Sequence, residues 1–389
     1  MPTSPTSDPQ GPARSEQNLR ALDRARLLEA LALAETSFGL TEPNPRVGCV
    51  IGFADGRVIG RGATQQAGGA HAEVMAMRDA QAAGHALAGA TAWVTLEPCA
   101  HHGRTPPCCD ALIAAGLARV VVALGDPFPQ VNGAGIARLR AAGIAVQMAD
   151  EDIATAARDL NIGFFWRVQR GLPWVRLKIA ASLDAVTALH DGQSRWITGE
   201  PARRDGHAWR KRASAVLTGI GTVLADDPRL DVRWVDTPRQ PDVVVVDSHL
   251  RLPATARLLQ APARVHIFTA RDPASAPAAL RSSGATVHCA PAADGRVDLP
   301  AMLRTLAQGG VNELHVEAGA GLNGALLSAG LVDELLIYLA PRLLGPGRPW
   351  ALLPPLATLA DGIALKLHGL SPVGDDIRIL ARPVPRDPG

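Results

Sequence analysis

Aromatic residues make up only 4% of this chain, with one tyrosine among 389 residues. That is too few for the stacked rings on which proteins hold single-stranded nucleic acid. An excess charge of either sign is also missing: 39 Lys and Arg face 37 Asp and Glu, a formal net charge of +2, so no global field gathers a polyanion or an acidic membrane surface. No uncharged apolar run reaches the ~18 residues of a membrane span. The opening MPTSPTSDPQGPARSEQ lacks the basic-then-apolar layout of a secretory leader. Five cysteines are too few and too unevenly spread for a disulfide framework. A soluble, cytoplasmic protein acting on a small molecule is expected.

What is present is a long α/β pattern. Residues 1–17, rich in Pro, Ser, Thr and Gln, are expected to form a disordered lead. The rest fits two domains at the usual ~100–200 residues each. An amphipathic helix over 15–37 precedes a Pro-rich break and a strand at 47–53 closed by Asp55-Gly56. Helices at 71–83, 108–115 and 135–142 then alternate with strands at 90–96, 120–124 and 144–147, the signature of an α/β layer fold. One helix over 150–165 leads to Arg170-Gly171-Leu172-Pro173, read as the boundary between domains 18–170 and 171–389. Beyond it, strands are expected at 175–181, 215–218, 243–247, 265–269, 286–290, 313–317 and 334–340, with a Pro-rich tail that frays from Ala381.

Three of the five cysteines fall within eleven residues, and the clustering is chemical. His71-Ala72-Glu73 is followed by Pro98-Cys99 and, after eight intervening residues, by Cys108. One His and two Cys form the ligand count that leaves a tetrahedral Zn²⁺ with an open position. His71 and Cys108 are expected at helix starts and Cys99 just past a strand, where helix dipoles favour thiolate over thiol. Glu73 is placed to reach a water at the open position without binding the metal, and to pass its proton to a leaving amine. Zinc deaminases of nucleobases carry H-x-E with a downstream P-C-x-x-C; here the second cysteine comes nine positions after the first. The pattern alone therefore leaves open a structural zinc with His101, His102 or Cys109 as fourth ligand. Cys109 otherwise reads as a small buried residue one helical step from Cys108, and Cys49 and Cys289 as ordinary thiols.

The stretch TLEPCAHHGRTPPCCD at 95–110 resembles, nearly residue for residue, the signature of the bifunctional riboflavin-biosynthesis deaminase/reductase family, in which the longer cysteine spacing is normal. The likeness continues through NPRVG at 44–48, LKIAASLD at 177–184, SRWITG at 194–199, TGIGTVLADDP at 218–228 and VEAG at 316–319, colinear from about residue 18 to 380. It implies a cytidine-deaminase-like α/β/α layer domain followed by a dihydrofolate-reductase-like α/β domain. It also implies one Zn²⁺ per chain, NADPH, and a homo-oligomer, dimer or tetramer. The implied substrate is a small phosphorylated pyrimidine. The first domain would remove the 2-amino group of 2,5-diamino-6-(phosphoribosylamino)pyrimidinone, and the second would reduce the ribosyl group to ribityl.

By the same matching, Asn44 would hold the base edge and His102 and Arg104 the ribose phosphate. Ser194, Arg210, Leu230, Arg233 and Glu317 would hold the reductase substrate, the two arginines suiting a phosphate by charge and fork geometry. Cofactor positions would be Ala180, Trp196, Thr222, Asp226 and Ser248, with Gly319, Ala320, Gly321, Leu322, Asn323, Gly324 and Ala325 at the phosphates. That last run matches G-x-G-x-x-G, yet no acidic residue ends the following strand as a Rossmann unit requires. The free amides of a Gly-rich helix start cradle phosphates without that fold. After Ser182-Leu183-Asp184 the family usually has Gly and a basic residue, whereas this chain has Ala185-Val186. The competing reading, a zinc nucleoside or tRNA deaminase with a non-catalytic second domain, predicts a basic groove that the balanced charge opposes.

Overall fold

The computed structural model describes residues 11–101, 106–128 and 132–384, with side chains from Glu16 onward. The chain divides into two compact units, Met1–Gln169 and Arg170–Gly389.

The first unit runs α1 (Gly11–Glu35), β1 (Gly48–Gly52), β2 (Val58–Ala63), α2 (Ala72–Ala82), β3 (Thr91–Val94), α3 (Cys108–Ala114), β4 (Arg119–Val122), α4 (Ala134–Ala141), β5 (Ala145–Met148), α5 (Glu151–Leu160) and α6 (Ile162–Arg170). Its sheet has the order β2-β1-β3-β4-β5, with β1 antiparallel to its neighbours and β3, β4 and β5 parallel. Residues alternate between faces at the strand period of two. Val50, Trp93 and Val121 join α1 and α5 on one side. Cys49, Ile51, Val94, Val120 and Val122 join α2, α3 and α4 on the other, so both faces are covered. Gly48 permits this closeness, since a Cβ there would stand 1.9 Å from the Ala30 carbonyl oxygen on α1.

Two expectations are corrected here. Helix α1 begins at Gly11, inside the stretch 1–17 read as a disordered lead; residues 1–10 lie outside the described residues. The single helix expected over 150–165 is two, broken at Asn161. The buried Asn161 side chain accepts the Arg46 N–H at 2.7 Å and donates to the Arg46 carbonyl at 2.8 Å. A pairing with the chain just after Asn44-Pro45 outweighs one more turn of helix, because buried amide groups must be satisfied.

The second unit contains β6 (Trp174–Ser182), β7 (Val186–Ala188), α7 (Glu200–Arg212), β8 (Ala215–Gly219), α8 (Ile220–Asp226), β9 (Asp242–Val246), β10 (Val265–Thr269), α9 (Ala278–Arg281), β11 (Thr286–Cys289), α10 (Leu299–Gln308), β12 (Glu313–Val316), α11 (Ala320–Ser328), β13 (Glu334–Ala340), β14 (Arg348–Pro349), β15 (Leu365–Val373) and β16 (Asp376–Pro383). Seven parallel strands run β11-β10-β9-β8-β12-β6-β13, and the antiparallel pair β16-β15 finishes the sheet. The tail expected to fray from Ala381 is instead paired: Ala381 is buried opposite Leu335. Strands β15 and β16 escaped the sequence reading because β15 faces solvent along most of its length, so its apolar residues follow no clean alternation.

Candidate active sites

In the first unit His71 is the extended residue at the N-cap of α2, and Cys108 is the first residue of α3 behind Pro107. Nδ1 of His71 stands 3.6 Å from Cys99 Sγ and 3.3 Å from Cys108 Sγ, and the three donor atoms all lie within 4.8 Å of one another. Cys109 turns away to Asp110 and is not part of the set. Contact with Cys108 and His71 draws the Cys99 thiol down to about 4, while contact with Cys99 and burial push that of Cys108 far up. Two thiolates at this distance repel, so both ionise only around a cation. Two sulfurs and one imidazole nitrogen at these separations fit Zn²⁺ with its fourth position open.

Glu73 is buried, and burial lifts its carboxyl to about 6. It lines the same cavity of about 400 Å³ as His71 and Cys99, together with Asn44, Thr64, His101, Asp126, Phe128, Phe164 and Arg167. The buried Glu97 carboxylate accepts N–H bonds from Asp126, Gly133, Gly135 and Ile136, which fixes the loop beside the cavity. Of the expected substrate contacts Asn44 lines this cavity; His102 and Arg104 lie outside the described residues. Asp126 and Arg167 were not found from sequence, and His101, read there as a possible fourth ligand, lines the cavity outside the donor set. His101 sits in the same motif as His102, and nothing in the sequence ranks one above the other. Arg167 depends on the break at Asn161, which starts α6.

In the second unit a cavity of about 580 Å³ is lined by all five expected substrate positions, Ser194, Arg210, Leu230, Arg233 and Glu317. Ala180, Trp196, Thr222, Asp226, Gly319, Ala320 and Asn323 line it as well. Gly321, Leu322, Gly324, Ala325 and Ser248 do not. Gly324 serves packing, because a Cβ there would stand 1.9 Å from the Leu352 carbonyl oxygen, and Leu322 packs on the core; a Cβ on Gly321 would meet open space. Ser248 lies past the carboxyl end of β9, its Oγ accepting the Val297 N–H. The first turn of α11 at the cavity wall and the cation-rich lining suit the phosphates of a dinucleotide.

The Arg210 fork expected for a phosphate is filled from within. It grips Glu317 with Nε and Nη2, the latter at 2.9 Å, and donates to the Asp231 carbonyl at 2.9 Å. Lys178 adds its Nζ 3.9 Å from Glu317. Burial raises the Glu317 carboxyl, but Arg210 and Lys178 outweigh it and hold the group well below the usual range. Burial, with Arg210 and Arg233 nearby, lowers His207 to about 4. Lys178, Arg203 and Tyr338, also in the lining, were missed because each shares its strand or helix with other charged or aromatic residues and no spacing singles it out. At the departure from the family pattern, Ala185 takes φ 64° between β6 and β7, while Asp184 accepts N–H bonds from Leu344 and Gly345.

A closed-ligand-poor metal centre with a buried carboxylate in one unit, and a phosphate-ready cleft on a parallel sheet in the other, define a hydrolytic deaminase joined to a nucleotide-dependent reductase. Residues 21–124 match the cytidine and deoxycytidylate deaminase zinc-binding region, and residues 173–379 match the RibD C-terminal domain. The riboflavin biosynthesis protein RibD of Escherichia coli is 45% identical over 369 residues, covering 91% of this chain and 98% of that protein. The RibD of Haemophilus influenzae is 42% identical over 370 residues, covering 91% and 95%. The solved structure of Acinetobacter baumannii RibD superposes with a TM-score of 0.84 at 40% identity, covering 94% of this chain and 100% of that one. That of a Thermotoga maritima deaminase/reductase gives 0.84 at 31%, covering 94% and 99%. The chain belongs to the RibD family: it is a bifunctional deaminase and reductase of riboflavin biosynthesis, with Zn²⁺ and NADPH as its cofactors.

Proposed function

We propose that the first cavity deaminates the diaminopyrimidine ribosyl phosphate and that the second then reduces its ribosyl group to ribityl. The Thermotoga protein is named for a diaminohydroxyphosphoribosylaminopyrimidine deaminase and a 5-amino-6-(5-phosphoribosylamino)uracil reductase. The observation that carries the reading is Glu73, a buried carboxyl in the cavity of the three donors yet outside the ligand set. His71, Cys99 and Cys108 hold the zinc, which when bound supplies the Lewis acidity that makes a water nucleophilic near neutral pH. Glu73 takes a proton from the attacking water and gives it to the departing amine, so that the C–N bond breaks, ammonia leaves and a carbonyl remains. Asn44 holds the ring edge, with His102 and Arg104 at the phosphate.

In the second cavity NADPH supplies the hydride. Gly319, Ala320 and Asn323 at the start of α11 hold its phosphates, with Ala180, Trp196, Thr222 and Asp226 along its length. Ser194, Leu230, Arg233 and Glu317 hold the sugar phosphate, and Arg210 acts through Glu317. Glu73→Gln tests the assignment: ammonia release should fall by about 10²–10⁴-fold while zinc content and NADPH oxidation on the deaminated pyrimidine stay at wild-type levels. Persistent ammonia release would remove Glu73 from the mechanism. NADPH consumed before ammonia appears, with the diamino compound as substrate, would reverse the order.

The proposal places the chain in the cytoplasm as a homo-oligomer. No helix among the described residues is long and apolar enough to cross a membrane. Strand β15, at the sheet edge, exposes Leu365, Leu367 and Leu370, and a second copy would cover them. Light scattering on Leu367→Lys should then show a smaller particle than the wild type.

A further inference from the structure

On one face of the second unit's sheet the central strands carry a polar ladder. Glu313, His315 and then Glu317 follow one another at alternate positions from β12 into the residue beyond it, and Arg176 and Lys178 face them from β6. The ladder holds two charge clusters. At one end Arg176 is gripped by Glu313 at 2.8 Å and Glu334 at 2.6 Å, with Arg212 on Glu313 at 2.9 Å. At the other end, in the reductase cavity, Glu317 is gripped by Arg210 and approached by Lys178. His315 lies between the clusters, fully buried, with Arg176 opposite it in register.

The ring has no other task on view. Its Nε2 stands 3.3 Å from Oε1 of Glu317, out of line for a hydrogen bond, and neither Nε2 nor Nδ1 has a hydrogen-bond partner among the described residues. A fully buried imidazole left in this state needs a reason, since orphaned buried polar atoms are rare and costly. A charged imidazole would add a third cation between Arg176 and Arg210, and burial with those two guanidiniums keeps it neutral. A neutral ring whose Nε2 faces a carboxylate oxygen carries its proton on that nitrogen, as a donor. Arg210 donates to both oxygens of Glu317, the Lys178 ammonium lies 3.9 Å from Oε2, and the Nε2–H of His315 faces Oε1 at 3.3 Å.

We infer that His315 is a positioning residue of the reductase, whose Nε2–H fixes the Glu317 carboxylate in the plane from which it meets the substrate. The inference rests on the proposed contact between Glu317 and the sugar. Arg210, tethered to the Asp231 carbonyl, grips both oxygens from the α7 side, and the Nε2–H of His315 limits the carboxylate from the strand beneath. The groups facing Glu317 are Lys178 from β6, Arg210 and His207 from α7, His315 from β12, and Tyr338 from β13, whose hydroxyl donates to Asp205. Removing a donor that favours the carboxylate raises the pKa of Glu317, so the acid limb of the reductase pH profile moves to higher pH.

His315→Leu should lower the reductase kcat on the deaminated pyrimidine by about 10- to 100-fold, the scale of a slightly misplaced contact, and move the acid limb upward. NADPH affinity, read by fluorescence, and ammonia release should stay at wild-type values. His315→Gln, whose amide reaches Oε1, should restore both kcat and the acid limb. An unchanged kcat and acid limb in His315→Leu, or His315→Gln as impaired as His315→Leu, overturns the inference. If His315→Leu does not fold, shown by loss of NADPH binding, His315→Asn replaces it and must meet the same outcomes, since its amide stops short of Oε1. Glu317→Gln separates the two levels. Unimpaired reduction by that variant sinks the role of Glu317 itself; a crippled Glu317→Gln beside an unimpaired His315→Leu sinks only the positioning role.

Discussion

In the deaminase cavity three carboxylates, Glu73, Glu97 and Asp126, and a sulfur of the metal set face one guanidinium among the described residues, that of Arg167. In the reductase cavity seven cationic side chains face three carboxylates. The first site is short of positive charge until a dication enters, and its chemistry follows from that ion. The second holds surplus positive charge for two phosphorylated ligands at once, and it keeps its own carboxylate ionised with Arg210 and Lys178. A chain of net charge +2 therefore hides two local fields of opposite sign. Net charge offers no global field to gather a polyanion and says nothing about either cavity.

The comparison breaks most readily at the metal. Cys99→Ala, or chelation of the wild type, should reduce ammonia release to background while leaving NADPH oxidation on the deaminated pyrimidine intact. Loss of both activities would mean that the two cavities are not independent. The second unit's buried ion pairs come next. Arg176→Met leaves Glu313 and Glu334 without their shared guanidinium, and breaking a buried pair costs about 3–5 kcal/mol. Calorimetry should show the transition of the second unit lowered by roughly 10 °C for its size, with deaminase activity kept. A single unshifted transition would sink this.

A smaller effect separates the units by pH. Burial lifts Asp333 to about 7 from an ordinary 3.8, although it accepts the Val175 N–H at 2.8 Å. Below the ordinary value the group is protonated folded or unfolded and costs nothing. As pH rises towards 7 the unfolded chain ionises freely while the fold resists, so stability is lost across that window. Asp333→Asn should flatten this slope in urea titrations of the second unit, and an unaltered slope would refute the assignment. The smallest expected change is Ala185→Gly. Alanine at φ 64° is strained where glycine is not, so the variant should gain up to about 1 kcal/mol, read as a higher denaturant midpoint. A lower midpoint would show that the turn tolerates alanine without strain.

The two sites also differ in how far they could be read in advance. His71, Glu73, Cys99 and Cys108 stand in two short motifs, because a metal needs particular atoms and a helix start or strand end supplies them locally. The Glu317 cluster draws on β6, α7, β12 and the loop beyond α8, with Arg210 and Glu317 107 residues apart. Nothing local marks such a pairing, which is why Arg210 was assigned to a phosphate and Lys178 and His315 went unnoticed. Secondary structure follows the same division. β10 and β13 fall at the expected residues, whereas the break at Asn161 and the hairpin of β15 and β16 depend on distant partners, Arg46 and β13.

By itself the sequence marked the two α/β halves and the clustered donors His71, Cys99 and Cys108 with Glu73 beside them, because periodicity and donor chemistry act over a few residues; the reductase-cavity positions came from the family resemblance alone. Only the tertiary structure decided which charges meet: that Arg210 is held by Glu317, that Gly324 serves packing while Gly321 stays open, and that His315 lies buried between two ion-pair clusters. Coulombic and hydrogen-bond energies depend on separation in space and on burial. Both are set by strand order and by the helices laid across the sheet, so they are fixed only when the whole unit is assembled.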